Sequence, residues 1–190
     1  LAVRADAIVI GDPMAEITQM GPVISKASLV RCLRMIGKAK ADGAVQIAGL
    51  TSPDLTAPFD KGFYIRPTIF KDVQSDHELF LEEVFGPVIS MTPYTTEAEA
   101  LELANTGNFG LGLSIWSRDI ARAHRLSLGV RGGVVWLNDH HRNDPRSVWG
   151  GVRDSGFGKE NGWDALKAYT TKKSVVVRTA PGYDDWFAGS

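Results

Sequence analysis

Apolar residues first recur at helical spacing in KASLVRCLRMIGKAKAD, residues 26–42. Leu29, Cys32, Leu33 and Ile36 fall on one face there, and Lys and Arg fill the other. That pattern predicts an amphipathic helix. Ser25 stands where an N-cap belongs, and Gly43 is a natural stop. Upstream, LAVRADAIVI runs into a turn signal at Gly11-Asp12-Pro13. Downstream, VQIAGL (45–50) predicts a short strand, and residues 51–62, with Pro53, Pro58 and Gly62, predict a loop. FYIRPTIF (63–70) predicts a second strand, which Pro67 marks as an edge or as interrupted.

From residue 87 the pattern alternates. PVISMTPY predicts a strand. Thr96 and Glu99 have capping-box spacing and open a predicted helix over 97–105. LGLSIWS (111–117) predicts a strand. DIARAHRLSL (119–128) predicts a helix with Ile120, Ala123 and Leu126 or Leu128 inward, and GVVWLN (133–138) a third strand. This order predicts an α/β fold, a largely parallel sheet with flanking helices. Its near-continuously apolar strands are expected to be buried. Ligands in such sheets gather at the carboxyl ends of the strands. The third strand ends at Asn138, so DHHRNDPRSVWGG is where a site is expected. A glycine-rich stretch follows, then a predicted helix over 160–168, a predicted strand KSVVVR (173–178) and an irregular tail.

Composition narrows the function classes. The 190 residues are 44% hydrophobic and 23% charged, with a net charge of -1. That balance gives no reason to expect nucleic acid or an acidic membrane surface as a partner. No apolar run approaches the roughly 18 residues of a membrane span. One cysteine excludes an internal disulfide framework and fits a reducing, cytoplasmic location. The chain begins at Leu1, without a signal-peptide pattern, which suggests a fragment or a processed chain. Glycine is frequent, 20 residues and mostly after residue 105, as tight turns or close backbone approach to a ligand would require.

Four places could carry chemistry. Gly156, Gly158 and Gly162 approximate a dinucleotide fingerprint, but the third glycine falls one place late and no apolar strand leads into it. A turn needing positive φ is the simpler reading. Asp139, His140, His141 and Asp144 could suggest a metal site; adjacent histidines in a strand-like segment should point apart, however, and a solvated loop is favoured. Cys32 sits mid-helix on the apolar face and reads as packing, since buried thiols behave as small hydrophobes. In EEVFGPV (82–88), Glu83 and Phe85 allow two readings. Either a carboxylate edges a turn and the ring is core, or the carboxylate accepts hydrogen bonds from a polyol and the ring packs on a flat heterocycle.

The blocks GDPMAEITQMGPVIS, RPTIF, FLEEVFGPV, the run ending VVWLN, and VWGGVRDSGFGKENGWDALKAYTTKKSV occur in this order. Together they resemble the C-terminal part of the aldehyde dehydrogenase superfamily, from about Gly11 to Val177. The resemblance implies a chain in two parts: the C-terminal part of the catalytic region over 1–170, and an assembly strand with a tail over 171–190. It also implies that the nucleophilic cysteine and the general-base glutamate lie upstream of Leu1, and that the piece alone is inactive.

For the complete enzyme the resemblance implies NAD or NADP as cofactor and oxidation of an aldehyde to a carboxylic acid. The route is a cysteine thiohemiacetal, hydride transfer and hydrolysis of a thioester. Glu83 matches the carboxylate that holds the nicotinamide ribose, and Phe85 would border the nicotinamide. Asn138, His140, His141 and Trp149 would line the substrate pocket. A bulky or aromatic aldehyde is the expected substrate, given these rings and Trp136. Glu160 matches a buried glutamate proposed to relay protons, or else is an acid in the first turn of a helix. Val148 stands where the family usually has Pro, and Ala165 where Gly is frequent. The KSVVVRT strand implies a homodimer or homotetramer. The alternative is a catalytically inactive homologue retained for binding or assembly.

Overall fold

In the computed structural model the described residues are 1–179, 181, 182 and 188. Three strands form the first sheet, in spatial order β1 (Val45–Ala48), β2 (Thr68–Lys71), β3 (Val88–Ser90). β1 runs antiparallel to β2, with an irregularity between Gln46 and Ala48, and β3 runs parallel to β2. Strand periodicity explains why β2 is the centre: successive side chains leave opposite faces. Phe70 packs into a core with Cys32, Met35 and Ile36, while Ile69 packs on the other face with Ala5 and Ala48.

The helices α1 (Ala2–Asp6) and α2 (Lys26–Ala41) supply those two covers. The Ser25 side chain accepts from the Ser28 amide at 3.1 Å, as an N-cap should. Cys32 and Ile36 are buried as expected, but Leu33 is exposed, and Met35 and Ala39 complete the inward face. α2 is therefore rotated toward Met35, and Leu33 lines an open cavity with Leu29, Phe59 and Tyr64. The strand expected over 63–70 begins only after Pro67, and it is the central strand of its sheet, not an edge. A short helix that the pattern did not announce, α3 (Glu78–Leu81), lies between β2 and β3.

The second sheet pairs β4 (Gly112–Ile115) with β5 (Val134–Leu137), parallel and in continuous register from Gly112 opposite Val134 to Ile115 opposite Leu137. α4 (Glu97–Asn105) precedes β4, and α5 (Ile120–Gly129) joins β4 to β5. Thr96 caps α4 by accepting from the Glu99 amide. The Glu99 carboxylate returns to Thr95 instead of Thr96, so only half of the capping box forms. Ala123 is buried in α5, whereas Ile120 and Leu128 are exposed.

Among the described residues β3 and β4 do not pair, so the expected single sheet is two sheets. Burial is correspondingly uneven. β2 is buried, β4 and β5 are mostly half-buried, and two of the three residues of β3 are exposed. The predicted helix over 160–168 is α6 (Gly162–Ala168). KSVVVR forms no strand among the described residues, and Val175, Val176 and Val177 are exposed. Most of the tail read as irregular falls outside the described residues.

Candidate functional site

The EEVFGPV segment is a lip between the two sheets. α3 ends at Leu81, and the chain then turns so that Val84 is buried in the α2 core while Phe85 is 76% exposed. The reversal comes from Phe85 itself, which adopts φ 53°. A bulky residue in the left-handed region costs about 1–3 kcal/mol unless its surroundings impose it. Here the neighbours do. Val84 anchors one side, and Gly86 presses on Cys32 on the other. The Arg31 guanidinium donates to the Glu83 carbonyl. Glu83 is exposed. Its side chain and the Phe85 ring border an open cavity of about 480 Å³ that Phe109, Leu111, Arg131 and Asp154 also line.

The second candidate area lies past the end of β5. Asn138 takes φ 53°, a conformation that Asn tolerates. Its amide grips the end of β4, accepting from the Ser117 amide at 2.8 Å and donating to the Ser117 carbonyl at 2.9 Å. The loop after it folds back on Trp136. That ring has His140 at 5.8 Å, His141 at 6.2 Å and Trp149 at 5.9 Å between centroids. Its indole N–H donates to the Arg142 carbonyl at 2.9 Å. His140 Nδ1 and Ser114 Oγ are 2.8 Å apart. The expectation that the two histidines point apart is corrected. His141 has φ 57°, which breaks the extended geometry and brings both rings to Trp136.

Asp144 shares two side-chain hydrogen bonds with Arg146, at 3.0 and 2.7 Å, and these hold its carboxyl below the ordinary range. Among the described residues no three His, Cys, Asp or Glu side chains gather as a metal site. Cys32 is wholly buried, and burial pushes its thiol pKa up, which is the state of a packing residue.

The glycine-rich stretch knits the second sheet to this loop. Trp149 and Glu160 exchange both main-chain hydrogen bonds, each 2.7 Å, as an isolated antiparallel bridge. A Cβ at Gly133 would lie 1.7 Å from the Gly150 carbonyl oxygen, so the residue leading into β5 and the glycine-rich stretch touch backbone to backbone. Gly156, Gly158 and Gly162 all have positive φ, the simpler of the two readings given for them. Within these residues Glu160 is exposed, and it precedes α6 instead of standing in its first turn.

The structure thus brings Glu83 and Phe85 together at one cavity, and His140, His141 and Trp149 around Trp136. It draws Glu160 to Trp149 through the main chain only. No sequence pattern marks Arg31 or Ser114. They meet partners 52 and 26 residues away, and no local spacing announces such contacts.

The chain is similar to known proteins of one family. The aldehyde dehydrogenase family model matches residues 1–175. Betaine aldehyde dehydrogenase of Cereibacter sphaeroides (strain KD131 / KCTC 12085) is 41% identical over 181 residues, covering 95% of this chain and 36% of the relative. That of Brucella anthropi is 41% identical over 177 residues, covering 93% and 36%. The crystal structure of betaine aldehyde dehydrogenase from Staphylococcus aureus in complex with NAD+ superposes with a TM-score of 0.91 at 34% identity, over 99% of this chain and 37% of that one. This chain belongs to the aldehyde dehydrogenase family. It spans 36% of the length of the curated relatives named here.

Proposed function

We propose that this chain supplies the nicotinamide-facing lip and the substrate loop of an NAD(P)+-dependent aldehyde dehydrogenase, which oxidises an aldehyde to a carboxylic acid in the cytoplasm. One observation carries the reading: in a chain of this family, a left-handed turn displays Glu83 and Phe85 side by side over an open cavity. The cofactor, when bound, accepts the hydride that leaves the aldehyde carbon. The residues present fit it. An exposed carboxylate accepts hydrogen bonds from two ribose hydroxyls, and charged acceptors make the stronger bonds. The exposed Phe85 ring offers an apolar face for a flat heterocycle and excludes water from it.

The nucleophilic thiolate and the general base are proposed to come from outside these 190 residues. Cys32, the sole cysteine, is wholly buried with its thiol pKa pushed up, so it cannot attack an aldehyde. The chain alone is therefore proposed to be inactive and to lack measurable NAD+ affinity. Titration calorimetry on the isolated chain checks this, and micromolar affinity overturns it.

The substrate proposed is an aldehyde with a bulky substituent, received by Trp136, Trp149, His140 and His141, with Asn138 holding the strand end at the pocket mouth. Aromatic faces also attract cations. Betaine aldehyde, in the names of the relatives, is the first compound to compare with an aromatic aldehyde. Glu160 is proposed to steady Trp149 through the main chain. Assembly into a homodimer or homotetramer is proposed through the exposed Val175–Val177 segment, because a β-branched segment with no strand partner among the described residues offers main-chain groups to a partner. A full-length enzyme that scatters light as a monomer removes that proposal.

The central test is Glu83→Gln in the full-length enzyme. Losing a charged acceptor weakens such bonds by about 1.5–3 kcal/mol. Single-turnover NADH formation is then expected to slow about tenfold or more. A rate equal to that of the unaltered enzyme strips Glu83 of this role.

A further inference from the structure

One helix grips the segment Glu78–Gly86 at both ends. At the start, Arg34 of α2 forks onto the Glu78 carboxylate with bonds of 3.0 and 2.6 Å. At the end, Arg31 donates to the Glu83 carbonyl. The next residue, Cys32, lies directly under Gly86, where an added Cβ would be 2.3 Å from Sγ. Between these points Leu79 and Val84 are buried in the same core as Cys32, Met35 and Ile36. Arg31 and Arg34 are three residues apart and so share one helix face. Their two attachments bracket the short helix and the turn that carries Glu83 and Phe85.

We infer that Arg31, backed by Cys32, is a positioning residue for the coenzyme lip. Neither side chain is proposed to touch the coenzyme. Arg31 fixes the main chain at Glu83, and Cys32 sets how close Gly86 can come to α2. Together they fix the height and tilt at which the carboxylate and the Phe85 ring stand over the cavity. The inference rests on reading Glu83 and Phe85 as coenzyme contacts. It adds that helix α2, outside that contact set, tunes coenzyme affinity.

The experiment uses the full-length enzyme and measures the KM for the coenzyme, kcat and thermal midpoint for Arg31→Ala, Arg31→Lys and Glu83→Gln. Arg31→Ala is expected to raise the coenzyme KM about 5–20-fold, the effect of losing one charge-assisted bond, while the aldehyde KM stays within twofold, on the order of ordinary scatter. A single carbonyl needs one donor, so Arg31→Lys is expected to recover most of the loss. Glu83→Gln with Arg31→Ala is expected to be less than additive, because both act on one contact.

A second pair of variants works from the other side. Gly86→Ala is expected to weaken the coenzyme, because its methyl group meets Cys32 Sγ. Adding Cys32→Ala removes the sulfur and leaves the nearest Cys32 atom 3.8 Å away, an ordinary contact, so affinity is expected to return.

If Arg31→Ala leaves the coenzyme KM unchanged while Glu83→Gln raises it, the positioning role falls and the lip reading stands. If Glu83→Gln itself changes neither coenzyme KM nor NADH formation, the lip reading falls and takes this inference with it. If Arg31→Ala only lowers the thermal midpoint and Arg31→Lys does not restore coenzyme affinity, α2 is structural alone.

Discussion

Phe70 and Phe157 are the same residue type with opposite surroundings. Phe70 is fully buried between α2 and the first sheet, and Phe157 projects from the glycine-rich stretch into the open. The contrast extends to their regions. The part up to Val84 holds nearly all of the fully buried residues, Met35, Ile69 and Val73 among them. The part beyond holds Ala123, with Trp116, Leu128 and Trp163 exposed. The first region is the more apolar in sequence, and it also has packing partners that the second lacks. The first region is built to hold, and the second to present side chains. The lip at Glu83 is where the rigid part delivers two groups to the open part.

The largest expected effect falls on the rigid side. Phe70→Ala empties a close-packed site and is expected to cost about 3–5 kcal/mol in urea unfolding. A loss below about 1 kcal/mol would show that the first sheet is not the stable body of the chain.

A smaller effect separates the regions by acid. The Arg34 guanidinium holds the Glu78 carboxyl below its ordinary range, and the Arg125 guanidinium does the same for Glu97, to which Arg122 also pairs. Each group keeps its charge in the folded chain at a pH where the unfolded chain would be protonated. Their stabilisation is therefore complete at neutral pH and fades as pH falls through the usual carboxylate range, near about 4.3 and below. In the first region a buried core backs the loss. In the second, the pairing of α4 with α5 has little else behind it. Trp116, Trp136, Trp149 and Trp163 all lie in the second region. Tryptophan emission is thus expected to change at a higher pH than β2 amides lose exchange protection. Coincident transitions would merge the two regions into one cooperative unit. The smallest effect is Phe157→Ala, expected within about 0.5 kcal/mol of the unaltered chain.

What the sequence made legible was local. Ser25, Thr96 and the helical spacing behind them located α2 and α4, because capping and periodicity act over a few residues. The inward face of α2 lies one stripe away from the one its spacing predicts. Leu29-Cys32-Leu33-Ile36 and Cys32-Met35-Ile36-Ala39 are both helical stripes, and the sheet decides between them. The β-α-β-α-β rhythm could not say that β3 turns back to β2 instead of joining β4, since pairing is a long-range choice. KSVVVR has the composition of a strand, but no partner among the described residues makes it one. At the candidate site, Glu83 and Phe85 were visible as a motif, but the left-handed turn that faces them outward and the Arg31 contact from 52 residues away were not.

The loop between Asn138 and Trp149 is clasped at both ends by paired hydrogen bonds, Asn138 to Ser117 and Trp149 to Glu160. Such a segment is an exchangeable cassette. Its contents can be rewritten while the clasps keep the two ends at a fixed gauge, so a loop of equal length from a relative is expected to graft here and, in the substrate role proposed for it, to carry its own preference.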